Sequence, residues 1–282
     1  MKYSEINKEK MEKNIENIKN DKSPISKDIL IDILNLIDLT SLEGTDTNSK
    51  IIEMTEKVNN FNNVFPNYKN VAAICVYPAM VETVKKALTA KNINIAAVGA
   101  GFPASQTFLS VKLAECDLCV VKGASEVDIV ISIGKFLSQN YDFVAKEIAL
   151  LKNVIGDKHL KVILETGELK TLENIKTASI LAMESGADFI KTSTGKTPTS
   201  ASLEAVYIMC ESIKEYYEKT GKKIGIKPSG GIRKAEEAIM YYRVVESILG
   251  KEWLNNKLFR FGASSLANNI LSNIENKEIK YF

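Results

Sequence analysis

The chain has 282 residues, 45% of them hydrophobic, with 37 basic and 35 acidic side chains for a net charge of +2. That length supports one large domain or two small ones, and nearly cancelled charge gives no reason to expect nucleic acid or an anionic membrane as partner. A single histidine excludes three-histidine zinc sites and H-E-x-x-H metalloproteases, and four cysteines are too few to staple a chain this long.

Residues 1–27 are rich in Lys, Glu and Asn, with Met11, Ile15 and Ile18 at helical spacing. They predict a charged helical extension, solvated or facing a partner, followed by a main domain over 28–275 and a short tail over 276–282. The start is too polar for a secretory signal, and no apolar run approaches the roughly 18 residues of a membrane span. A soluble cytoplasmic protein is expected.

Eight short apolar, β-branched runs follow, near 31–38, 71–76, 94–99, 127–132, 160–165, 187–192, 223–228 and 258–262. Segments of helical period lie between them. Ile51, Met54, Val58 and Phe61 form one stripe, and Val81, Val84 and Leu88 form another after Pro78. "KAEEAIMYYRVVESIL" runs to Gly250, a natural helix stop. Within "VKLAECDLCVVKG", Cys116 and Cys119 have C-x-x-C spacing, but no second such pair exists, so they read as core thiols. His159 stands among charged residues and reads as a surface residue. Strictly alternating β and α signals imply parallel strands joined by helices, and eight units over about 250 residues match a (β/α)8 TIM barrel. An open doubly wound sheet is the alternative, but no G-x-G-x-x-G follows the first run.

Charges interrupt the apolar runs near their C-terminal ends, where a barrel carries its active site. Asp38 closes the first run, Asp128 lies in the fourth, Glu165 ends the fifth, Lys191 the sixth and Lys227 the seventh. Buried charges must be paired, hydrated or functional. A salt-bridge cluster closing the barrel is one reading. The other is chemical, because Lys191 and Lys227 fall on adjacent strands about 4.8 Å apart. A free lysine is neutral only about one part in 2,500 at pH 7, and bringing its pKa to ~7 takes about 4.6 kcal/mol. A neighbouring ammonium and desolvation both act in that direction. Lys191 is then the nucleophile and Lys227 its tuner, with Asp128 exchanging protons with Lys227.

The order G-K-T at 195–197 resembles a P-loop, but Ile190 stands where that motif needs its first glycine. The glycines and hydroxyls instead cluster after the last three runs, as "TSTGK", "PSGGIR" and "FGASSL". They are ordinary turns and caps, or together a phosphate cradle beside Lys196.

Taken in order, "IDLTSLEGTDT", "AAICVYP", "EVDIVI", "KVILETGEL", "GADFIKTSTGK", "GIKPSGGIR" and "FRFGASSL" resemble deoxyribose-phosphate aldolases, most nearly the longer enterobacterial-type branch, over roughly residues 28–270. The resemblance implies a class I lyase that cleaves 2-deoxy-D-ribose 5-phosphate reversibly to acetaldehyde and D-glyceraldehyde 3-phosphate, in deoxyribose phosphate catabolism. It implies no metal, no cofactor and a homo-oligomer, with a dimer favoured. Lys191 matches the Schiff-base lysine, Lys227 the lysine that perturbs it, Asp128 the relay aspartate and Asp38 the strand-one aspartate. Thr194, Gly195, Lys196, Gly230, Gly231, Ser264 and Ser265 match phosphate-contacting positions. Cys75 matches an aldehyde-sensitive cysteine, the D-L-T stretch brings in Thr40, and Tyr281 is a candidate for a tail tyrosine that assists proton transfer. "GAGFP" departs from relatives before its Phe-Pro, in a loop expected near the site.

Overall fold

A computed structural model of the chain describes residues 3–282, and in it the short apolar runs lie side by side as one parallel sheet. The first half runs α1 (Lys8–Asn20), α2 (Lys27–Asn35), β1 (Ile37–Thr40), α3 (Asn48–Val64), β2 (Ala73–Val76), α4 (Val81–Ala87), β3 (Asn94–Gly99), α5 (Leu109–Val121) and β4 (Glu126–Val130). Next come α6 (Ile133–Leu137), α7 (Tyr141–Ile155), β5 (His159–Ile163), α8 (Thr166–Leu169), α9 (Leu172–Glu184) and β6 (Phe189–Lys191). The chain ends with α10 (Leu203–Thr220), β7 (Gly225–Lys227), α11 (Ala235–Leu249), β8 (Phe261–Ala263) and α12 (Leu266–Glu275). The strand order is β7-β6-β5-β4-β3-β2-β1-β8, and parallel bridges Ile226–Phe259 and Ser229–Gly262 close the ring. The expected (β/α)8 barrel is the fold.

Side chains alternate between the two faces of each strand, and this period of two divides the core. Leu39, Ile74, Val127, Val162, Ile190 and Ile226 pack outward under the helices. Each such burial stabilises by about 1.5–3 kcal/mol. A separate cluster of Leu42, Ala73, Cys75, Ala96 and Val98 forms, with Tyr77 and Phe102 packed against it. Lower in the lumen, the Phe189 ring has the Lys161 ammonium 6.0 Å and the Arg260 guanidinium 5.9 Å from its centroid.

Three expectations are revised by packing. The run at 31–38 is not one strand: Ser26 caps the Ile29 amide, and Leu30, Ile33 and Leu34 form the buried face of α2. The strand begins at Ile37. The N-terminal extension is helical, but its apolar stripe is covered by its own chain, with Met11 and Ile15 buried where α1 meets α10 and α11. The tail also docks: Tyr281 donates its hydroxyl to the Lys57 carbonyl at 2.7 Å and packs edge-on against Phe61 and Phe65.

In register beside Phe189, Gly225 has no side chain to spare room for: a Cβ there would lie 2.3 Å from the ring. Gly225→Ala should therefore displace Phe189 and destabilise the barrel by about 1–3 kcal/mol, the usual cost of overpacking. Chemical denaturation should show a lower midpoint. An unchanged midpoint would contradict this account of the ring.

Candidate active site

The strand register carries charged side chains into the lumen in two connected tiers. In the lower tier, the Arg260 guanidinium grips Glu126 through Nη2–Oε1 at 2.9 Å and Nη1–Oε2 at 3.2 Å. Lys161 also donates to Glu126, and Asn94 donates to its other oxygen at 2.7 Å. In the upper tier, Asp38 accepts from Arg260 Nη1 at 2.6 Å and from Lys227 Nζ at 2.5 Å. Asp128 accepts from Lys161 at 3.0 Å on one oxygen. Its other oxygen accepts from both Lys191 and Lys227 at 2.8 Å. Lys191 and Lys227 are register partners across β6 and β7, so both point inward at one level.

All seven ionisable groups are buried, with three carboxylates facing four bases. Full ionisation would leave one uncompensated positive charge among buried groups, where an unpaired charge is costly. The excess falls on one residue. Burial and the adjacent Lys227 ammonium lower the Lys191 pKa despite its contact with Asp128. Lys227 moves the other way: burial opposes its charge, but Asp128 and Asp38 outweigh it and raise the pKa. Lys161 and Arg260 are likewise raised against burial by their carboxylate neighbours. Burial also works against the three acids, yet the surrounding cations hold Asp38 below the usual range and Glu126 and Asp128 well below it. Lys191 is thus the one lumen base whose pKa is shifted toward the neutral amine.

A cleft of about 230 Å³ opens above Lys191, lined by Thr40, Leu42, Gly195, Lys196, Gly230, Gly231, Arg233 and Ser264 among others. Gly230 has φ 81°, and a Cβ would meet the Ser200 Oγ at 2.5 Å, so the backbone comes close there because glycine allows it. Among the described residues, the amides of Gly195, Gly230, Gly231, Ser264 and Ser265 donate no hydrogen bond within the chain. Ser265 stands just before α12, whose N-terminal dipole favours an anion. Unengaged amides beside Lys196 and a helix N-terminus suit an anion.

Most residues expected at the site converge on this lumen and cleft. Lys191, Lys227, Asp128 and Asp38 form the network, Cys75 sits in the lumen wall with its thiol pKa raised by burial, and Thr40 donates to the Asp38 carbonyl at 2.7 Å. Thr194 reaches the cleft rim, but its amide and hydroxyl are engaged with Glu165, the hydroxyl at 2.6 Å. Tyr281 is not brought there, because the aromatic seat on α3 holds it on the outer helices. Glu126, Lys161 and Arg260 had no assignment from sequence. Their signal is the period of two: Glu126 and Asp128 alternate in "EVDIV", Lys161 breaks "LKVIL" and Arg260 breaks "FRFG". Cys116 and Cys119 are buried free thiols on α5, and His159 is half exposed at the edge of Glu126. Among the described residues, no helix is long and apolar enough to cross a membrane.

Comparison with known proteins agrees with this geometry. The profile of the DeoC/LacD family aldolases matches residues 33–269. The human deoxyribose-phosphate aldolase is 43% identical over 251 residues, covering 86% of this chain and 79% of the human one. The solved structure of QR15, an aldolase, superposes with a TM-score of 0.71 at 31% identity over 87% of this chain and 97% of its own. A tetrameric deoxyribose phosphate aldolase from Aeropyrum pernix has a TM-score of 0.65 at 23% identity, over 89% and 98% of the two chains.

The charge count can be tested at Lys227. In Lys227→Leu, Lys191 becomes the missing counter-charge for Asp128, and its pKa should rise. An amine reacts when deprotonated, so reactivity increases as pH climbs through the pKa, and a raised pKa moves that increase to higher pH. Each unit of rise removes about tenfold of the neutral amine at pH 7. The check is the pH dependence of reductive alkylation of Lys191 by a small aldehyde, read by mass spectrometry. The same midpoint in variant and parent would refute the assignment.

Proposed function

Since the chain belongs to the DeoC/LacD family of aldolases, we propose that it cleaves 2-deoxy-D-ribose 5-phosphate to acetaldehyde and D-glyceraldehyde 3-phosphate, reversibly, with Lys191 as the Schiff-base lysine. The carrying observation is one lowered lysine amine at the base of a cleft whose far end gathers unengaged amides, Lys196 and Arg233. A nucleophile and a phosphate cradle separated by a short sugar are what an aldolase of this class needs.

In the proposed sequence, the Lys191 nitrogen adds to the C1 aldehyde of the open-chain sugar, and the carbinolamine loses water to give a protonated imine. Asp128, kept ionised by Lys161, Lys191 and Lys227, takes the proton from the C3 hydroxyl. The C2–C3 bond then breaks, its electron pair passes to the imine as an enamine, and C3 becomes the aldehyde of glyceraldehyde 3-phosphate. Lys227, held protonated, supplies positive charge beside the reacting nitrogen, and the proton that Asp128 took from the C3 hydroxyl passes to C2 of the enamine. Hydrolysis frees acetaldehyde and Lys191. The phosphate stays at Gly195, Lys196, Gly230, Gly231, Ser264 and Ser265 throughout. The apolar wall of Cys75, Ala96 and Val98 suits the two-carbon fragment.

The test is borohydride reduction with acetaldehyde, followed by peptide mass spectrometry. The adduct should map to Lys191, and Lys191→Leu should lose cleavage while still binding inorganic phosphate. Because the substitution removes a buried amine in excess of its counter-charges, its thermal midpoint should not fall. Full cleavage activity in Lys191→Leu would end the Schiff-base reading.

The chain is proposed to work in the cytoplasm as a homodimer. Its four cysteines, buried and unpaired, suit a reducing compartment. On α5 and the residue before it, Phe108, Val111, Ala114, Leu118 and Val121 form an exposed stripe at helical spacing, with Phe108 79% and Leu118 55% exposed. A contiguous apolar stripe of this kind marks an interface, and a two-fold pair would cover both copies with the same surface. Light scattering should give twice the chain mass for the parent and a monomer for Leu118→Glu. A monomeric parent would reject the dimer.

A further inference from the structure

Glu165 is a buried carboxylate, 1% exposed, that takes no part in the mechanism above. It follows β5 with φ 54° and ψ 61°, a left-handed backbone conformation that a non-glycine residue rarely adopts. Its side chain reaches beneath the loop that follows Lys191. Oε2 accepts the Thr194 hydroxyl at 2.6 Å, Oε1 accepts the Thr194 amide at 3.2 Å, and Oε1 also accepts the Thr197 hydroxyl at 3.3 Å. The Thr194 oxygen in turn accepts the Lys196 amide at 3.0 Å. The backbone at the start of α8 and this loop is joined as well, since the Thr166 amide donates to the Thr192 carbonyl at 2.9 Å.

These bonds have a directional consequence. The Thr194 and Lys196 amides are both engaged, by Glu165 and by the Thr194 hydroxyl, while among the described residues the Gly195 amide between them has no acceptor within the chain. Glu165 therefore sorts the amides of this turn. The two that it engages, directly or through Thr194, already have acceptors within the chain, and the one at Gly195 stays available beside Lys196. The left-handed backbone at Glu165 brings the carboxylate beneath the loop. A carboxylate so near an anion site is unfavourable by charge alone, so its place there calls for a compensating task, and its hydrogen bonds supply one.

We propose that Glu165 is a positioning residue for substrate phosphate: it acts through Thr194 and Thr197 to hold the 194–197 loop in the shape that presents the Gly195 amide and the Lys196 side chain. The proposal rests on the assignment of the cleft as the phosphate site of an aldolase. On this reading Thr194, expected from the resemblance among the phosphate-contacting residues, serves the site by holding the loop through its bonds to Glu165.

The experiment compares parent, Glu165→Gln and Glu165→Ala on 2-deoxyribose 5-phosphate and on unphosphorylated 2-deoxyribose, with inorganic phosphate as competing inhibitor. A lost hydrogen-bond set to a charged acceptor predicts a KM increase of about tenfold or more on the phosphorylated sugar in Glu165→Ala. The loss on the free sugar should be clearly smaller, and inhibition by phosphate should weaken in parallel. Glu165→Gln keeps an acceptor for the Thr194 hydroxyl and should fall between parent and Glu165→Ala. Equal losses on both sugars, or undiminished phosphate inhibition, would show a general structural role and overturn the proposal. Should Glu165→Ala not fold, the same ratio in Glu165→Gln decides. No cleavage of the phosphorylated sugar by the parent would instead reject the function on which the proposal rests.

Discussion

A lumen with four buried bases and three carboxylates cannot be neutral while every group is ionised. That constraint organises the rest of the site. Bidentate and shared hydrogen bonds commit Arg260, Lys161 and Lys227 to the three acids, and the remaining base, level with Lys227, lines the cleft. The pKa directions of all seven groups follow from that allocation. Lys191 need not be isolated from carboxylates to be neutral. It touches Asp128 at 2.8 Å, but that carboxylate also faces two other ammonium groups.

The barrel makes this allocation possible by register. Because side chains alternate, Glu126 and Asp128 on β4 enter the lumen two residues apart, one in each tier. Lys161 on β5 is level with Asp128 and bonds both acids. A one-residue slip on any of these strands would turn its charges out among the helices. The network specifies the register as well as using it, and each member except Lys191, which meets Asp128 alone, is satisfied by more than one partner. Satisfied in this way, a polar core serves as a rigid support for the nucleophile.

How much of this was legible from sequence varied with the kind of signal. The run at 94–99 has strand composition, sharp boundaries and no competing period, and it coincides with β3. The run at 31–38 satisfies both periods, since Leu30, Ile33 and Leu34 make a helical face just ahead of a true strand. Composition cannot separate the two, and the Ser26 cap decides it. Lys191, Lys227, Asp128 and Asp38 stood out as charges at or near the ends of apolar runs. Glu126, Lys161 and Arg260 are just as central, but their roles arise from strand neighbours 33 to 222 residues apart, and no local pattern reports such pairings. Tyr281 shows the reverse case. A residue type suited to proton transfer lies instead against Phe61 and Phe65, because an aromatic seat on α3 was available to hold it.

The same logic of allocation extends from lumen to cleft. In the lumen, pairing with carboxylates decides which amine is left free to react. In the loop after Lys191, pairing with Glu165 decides which amides are left free to meet an anion. In both places a buried acid sets function by what it occupies, and the reactive group is the one left over. The two devices are joined through three residues of backbone, from Lys191 to Thr194. In the proposed function, the end of β6 therefore sets the distance between the Schiff-base lysine and the proposed phosphate site.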